Sequence, residues 1–124
     1  SFIYYLCSLK HMLSKAYNII FETLANSNRI NILESLIKKE KTVSELTKEL
    51  KLDQTTVSHN LKRLKITGFV KDKKQGKNKV YSANKDAVDP LLKFVNNHMN
   101  CNCQALCNCN EKKISQILKR WKKN

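Results

Sequence analysis

Four of the five cysteines fall within nine positions, as Cys101, Cys103, Cys107 and Cys109 in the spacing C-x-C-x3-C-x-C. Thiols this close can hold one soft cation between them, or they can oxidise in pairs. Residues two apart on a helix point to nearly opposite sides, so a chelating C-x-C pair needs a turn or an extended segment. Every one of these cysteines has an asparagine beside it, a turn-forming residue that suits such a loop. Four thiolates fit Zn(II) in tetrahedral geometry, soft Cu(I), or a thiophilic ion such as Cd(II), Hg(II) or As(III), and the spacing does not choose among them. Redox sensing through disulfides is the competing chemistry, and cysteines without a role are the third reading. His98 is a candidate extra ligand and Cys7 a candidate fifth thiol, although a helix-end histidine is the plainer reading of His98.

A second group of residues suits polyanion recognition. Thr42 and Glu45 have capping-box spacing, so a helix starts there, with Val43, Leu46 and Leu50 along one side. Asp53, just after Leu52, offers a second N-cap, so the next helix starts at about Gln54. Val57, Leu61 and Leu64 fall at i, i+4 and i+7 and must face a core. Thr55, His59, Lys62 and Arg63 then lie on the far side, and these are the residue types that read base edges and grip phosphates. Gly68 sits where a helix end needs positive φ, and Phe69, Val70 and Lys71 begin a strand. The stretch from Lys73 to Lys79 reads as a polar hairpin tip carrying Lys73, Lys74, Lys77 and Lys79, with Val80 and Tyr81 starting the return strand. Two short helices followed by a lysine-rich hairpin make a helix-turn-helix with a wing.

The succession SELTKEL, LDQTTVSHNLKRLKITGFV and KKQGKNKVYS resembles the ArsR/SmtB family of dimeric winged-helix transcriptional repressors, over roughly Tyr17 to Met99. The resemblance implies a mainly α fold with a two-stranded β-wing, a homodimer held through the first and penultimate helices, and double-stranded DNA as the partner. It also implies that Thr55, Thr56, Ser58, His59 and Lys62 match the base- and phosphate-facing part of the recognition helix. The candidate DNA contacts are therefore Gln54, Thr55, Thr56, Ser58, His59, Lys62 and Arg63 on the helix and Lys73, Lys74, Lys77 and Lys79 on the wing. One departure is Asn60, where many members carry a histidine. Some members sense metals through a cysteine pair in the helix before the turn, but Thr47 stands here where a cysteine would be wanted. Asp86, Asp89 and His98 do not reproduce the Asp and His zinc pattern of others. An effector site, if the chain has one, falls to the cysteine cluster.

The remaining elements position these groups. Leu13, Ala16, Tyr17, Ile20 and Leu24 make a stripe on a first helix from about Lys10 to Ala25, wider than the chain needs for its own interior. Asn26 to Arg29 is a polar break, after which Ile30, Leu33, Leu36 and Ile37 form the face of a supporting helix. Lys38 to Lys41 reads as a solvated charged turn. Beyond the wing, Asp86 to Asn97 reads as a helix capped by Asp89, with Pro90 in its first turn and Leu91, Leu92 and Val95 as dimer candidates. Glu111 to Trp121 is a final amphipathic helix expected to pack on its own chain. Residues 1–99 are read as the DNA-binding and dimerisation domain, and 100–124 as a cysteine loop with a terminal helix.

Composition narrows the partner. In 124 residues there are 24 Lys and Arg against 10 acidic residues, a formal charge of +14, which calls for a polyanion. No apolar run reaches the length of a membrane span, and Phe2 to Leu6 lack the preceding charge of a secretory signal, so no membrane partner and a cytoplasmic location are expected. There is no paired carboxylate site, phosphate-cradling glycine loop or nucleophile with an evident base, which argues against an enzyme. The expected function is a sequence-specific repressor responsive to a thiophilic metal or metalloid. A thiol-redox repressor, and a metal-sequestering protein with incidental DNA affinity, are the alternatives.

Overall fold

Asn26 separates the first two helices of the chain. Its backbone is extended, and its side-chain oxygen accepts the amide of Arg29 at 3.1 Å, which caps the second helix as its spacing predicts. The computed structural model describes residues 15–101 and residue 119. Cys7, Leu13, Cys103, Cys107, Cys109 and the helix expected over Glu111 to Trp121 lie outside the described residues. In order come α1 (15–24), α2 (Ser27–Lys38), β1 (Lys41–Thr42), α3 (Val43–Leu50), α4 (Gln54–Ile66), β2 (Val70–Gln75), β3 (Asn78–Ala83) and α5 (Lys85–Cys101). They form two compact units, the first ending at Ala87 and the second starting at Val88.

The first unit is a mainly α winged helix-turn-helix. Its core joins Ile32, Leu33 and Leu36 of α2, Leu46 of α3, and Val57, Leu61 and Leu64 of α4 to Phe69, Val70 and Val80. Each such side chain contributes about 1.5–3 kcal/mol by leaving water. The stripe read for α2 is displaced by a residue. Ile32 and Ser35 are buried with Leu33 and Leu36, while Ile37 is exposed and Ile30 half-buried. The reason is Ser35, a polar residue that is buried because its hydroxyl has partners. It donates to Glu49 Oε2 at 2.6 Å and accepts from Lys41 Nζ at 2.6 Å. Lys41 is accordingly no part of a solvated turn: its side chain is 14% exposed and also pairs with Glu49 at 2.8 Å.

The capping box of α3 forms as expected. Thr42 Oγ1 accepts the Glu45 amide at 3.3 Å and Glu45 Oε1 accepts the Thr42 amide at 3.4 Å. The wing consists of β2 and β3, antiparallel, with Gln75 paired to Asn78, so only Gly76 and Lys77 form the turn. The tip is thus shorter than the seven-residue loop read from the lysines: Lys73, Lys74 and Lys79 belong to strands. Gly76 has φ +66, as a two-residue hairpin turn demands. A third strand, β1, lies on the other side of β3, with Thr42 opposite Val80, giving the order β1-β3-β2.

Helix α5 begins at Lys85, so Asp89 lies inside it and is not its cap, and Pro90 stands in the second turn. There the missing amide leaves the Asp86 carbonyl without its i+4 donor. Val88 is buried, and Leu92, Phe94 and Val95 are exposed. His98 stacks on Phe94 with ring centroids 6.2 Å apart. Among the described residues no helix is long and apolar enough to cross a membrane.

Candidate nucleic-acid interface

Asp53 starts α4 by accepting the Thr56 amide at 3.0 Å and the Thr56 hydroxyl as well. These two donors, the hydroxyl first, hold the Asp53 carboxyl below its usual value. Val57, Leu61 and Leu64 are completely buried, which fixes the rotation of the helix. Gln54, Thr55, Ser58, His59 and Lys62 are then exposed together on the opposite arc. Thr56 is half-buried with its hydroxyl committed to the cap. Arg63 lies on the flank: its Nε donates to Thr23 Oγ1 of α1 at 2.9 Å, and an Nη is 3.9 Å from Glu22. It spends donors inside the protein where Lys62 points outward.

The four wing lysines are exposed. Lys73 lies 3.4 Å from Glu40 and Lys79 lies 3.8 Å from Asp72, whose carboxylate also takes Lys65 at 2.9 Å. Lys65, then Lys79, keeps the Asp72 carboxyl below its ordinary value. Lys74 and Lys79 stand directly opposite each other in the ladder. Like charges in that position oppose pairing, and an anion laid across both relieves the repulsion. Between the wing and the starts of α3 and α4 runs a cleft of about 310 Å³, lined among others by Ser44, Gln54, Lys77, Asn78, Lys79 and Tyr81. It brings two of the wing lysines to the N-terminal end of the exposed α4 arc.

Ser44, Asn78, Tyr81 and Lys65 were not singled out from the sequence. Their polar types carry no signal until the β-ladder register and the α3 entry bring them to the cleft or the wing. Cys101 is the last residue of α5, and among the described residues no group of three or more His, Cys, Asp or Glu is placed to hold a metal ion.

Residues 26–72, from the cap of α2 into the wing, match the family model described as bacterial regulatory protein, arsR family. The chain is 35% identical, over 77 residues, to an uncharacterized HTH-type transcriptional regulator of Methanocaldococcus jannaschii, covering 61% of this chain and 86% of that one. The chain belongs to the ArsR/SmtB family. A transcriptional repressor SmtB homolog from Synechocystis is 30% identical over 64% of this chain, and the match spans 60% of that relative's length. The ArsR/SmtB fold is also found in the solution structure of a homodimeric winged helix-turn-helix DNA-binding domain from Mycobacterium bovis. That domain is 27% identical, with a TM-score of 0.62, covering 73% of this chain and 86% of its own. These relatives are named as transcriptional regulators and not as enzymes.

Proposed function

We propose that this ArsR/SmtB-family protein is a homodimeric, sequence-specific DNA-binding repressor. The observation that carries the reading is the exposed polar arc of α4 beside a lysine-bearing wing, with the apolar side of the same helix fully buried. In this reading α4 enters the major groove. Gln54, Thr55, Ser58 and His59 meet base edges, while Lys62 and the wing lysines grip phosphates, one of them seated in the cleft. Thr56 and Arg63 serve the scaffold. Two subunits place their recognition helices in successive major grooves about 34 Å apart. The homodimeric relative supports this assembly, as do the exposed aromatic residues Tyr17 and Phe21 on α1 and the exposed Leu92, Phe94 and Val95 on α5. A repressor works beside the genome, so the cytoplasm is its proposed location.

The test separates base contacts from phosphate contacts. Lys62→Gln should weaken binding equally on random DNA and on a duplex selected by the wild type, and it should make the salt slope shallower by about 0.9. Thr55→Ala and His59→Ala should each lose about 1–3 kcal/mol on the selected duplex and little on random DNA. Equal losses on both DNAs for all three variants would contradict the assignment.

For the effector we propose that Cys101, Cys103, Cys107 and Cys109 hold a thiophilic ion, Zn(II), Cu(I), Cd(II), Hg(II) or As(III). The support is the spacing of four thiol donors just after α5. Elemental analysis of protein purified without oxygen, set beside thiol counting after mild oxidation, separates this from a disulfide switch. Stoichiometric metal supports it, and metal-free protein that loses thiols in pairs refutes it.

A further inference from the structure

Two arginines on different helices grip the end of α1, and one of them belongs to the recognition helix. Arg29, in the first turn of α2, donates Nε to the Thr23 carbonyl at 2.6 Å and Nη2 to the Glu22 carbonyl at 3.0 Å. Carbonyls in the last turn of a helix have no partner within it and form the negative end of its dipole, so a guanidinium fits there. The remaining arm, Nη1, donates to Asn60 Oδ1 of α4 at 3.2 Å. Asn60 is 6% exposed, and its Nδ2 donates to the Thr56 carbonyl at 2.9 Å within α4. From the same helix Arg63 Nε reaches Thr23 Oγ1 at 2.9 Å. Thr23 is fully buried and its hydroxyl donates to the Ile19 carbonyl at 2.6 Å.

We infer that Arg29, Asn60, Arg63 and Thr23 form a positioning clamp that fixes how α4 is turned against α1, and thereby sets the half-site spacing the dimer accepts. The inference rests on the DNA-binding dimer proposed above, in which α1 helps to join the subunits. The apolar stripe of α4 resists exposure but tolerates small rotations, whereas the guanidinium is a rigid planar fork whose bonds fail when the angle changes. A turn of about 20° on a helix about 6 Å in radius moves a side-chain tip sideways by ~2 Å. That is enough to break a base contact, because hydrogen bonds tolerate only a few tenths of an ångström. Asn60 and Arg63 are therefore positioning residues, and the place of Asn60 in the recognition helix is explained by Arg29.

The test uses the full chain and a duplex selected by the wild type, together with the same duplex carrying one base pair more or fewer between half-sites. Thr23→Val keeps the volume and removes the hydroxyl, Asn60→Leu removes the acceptor, and Arg29→Lys keeps the charge but loses the fork. With folding and dimerisation verified by circular dichroism and sedimentation, all three should keep the wild-type salt slope. Their preference for the selected spacing should fall about fivefold or more. Arg63→Gln should likewise leave the slope unchanged, in contrast to Lys62→Gln. If a variant fails to fold, the remaining ones decide. Unchanged spacing preference in folded variants, or a slope reduced by Arg63→Gln as much as by Lys62→Gln, overturns the clamp. Failure of the wild type to favour any selected duplex overturns instead the DNA-binding reading beneath it.

Discussion

Glu49 shows how single residues here combine local and distant causes. Its carboxylate accepts from Lys41 Nζ and Ser35 Oγ, and these bonds, the lysine first, hold its pKa below the ordinary value. Partners that favour the ionised form contribute stability fully above the unfolded carboxylate range, about 4, and that contribution is lost as the pH falls through it towards the folded value. Asp53 and Asp72 are shifted in the same direction. The urea midpoint should therefore stay level from neutral pH down to about 5 and drop below about 4. Glu49→Gln should start lower at neutral pH and fall less steeply. Parallel curves for variant and wild type would show that the triad contributes nothing to the acid transition. Of these residues, Thr42, Glu45 and Asp53 are legible in the sequence because a cap reaches only three positions along the chain. Ser35 with Glu49, and Arg29 with Asn60, are not, because those contacts exist only after the helices have packed.

Elements were legible where a local rule sets their limits. Helices α3 and α4 begin at their caps, and Gly68, with φ +85, ends the segment before the wing. Strand β1 is two residues long and has no pattern of its own; it exists through pairing with β3. The start of α5 was misplaced because Pro90 is most easily accommodated in a first turn, yet here it stands in the second. Lys51, which ends α3, is the one non-glycine with positive φ among the described residues, at +55. A lysine held there costs the chain side-chain and backbone strain that glycine avoids. Lys51→Gly should raise stability by about 0.5–1 kcal/mol in urea unfolding, the gain in strain being partly offset by glycine's greater freedom when unfolded. A loss of stability would mean that Lys51 makes a compensating contact.

At the scale of the whole molecule, charge and exposed apolar surface each point to a partner. Tyr17 and Phe21 are 53% and 66% exposed and meet edge to face at 6.5 Å, a pair that one subunit leaves largely in water. Placing a carboxylate there should break a dimer by burying an unpaired charge. Phe21→Glu should sediment as a monomer where the wild type is a dimer, and it should lose about 100-fold or more in affinity for a two-half-site duplex as the second contact becomes intermolecular. A wild type that is monomeric at micromolar concentration would refute this assembly. The formal charge of +14 and the facing Lys74 and Lys79 make the complementary case for a polyanion. Salt dependence tests that case most directly, because each neutralised phosphate releases condensed counterions. If each subunit covers about four phosphates, the log-log slope of the binding constant against salt should be near −7. A slope shallower than about −3 would contradict the account, since most of the lysines assigned to DNA would then be standing clear of it.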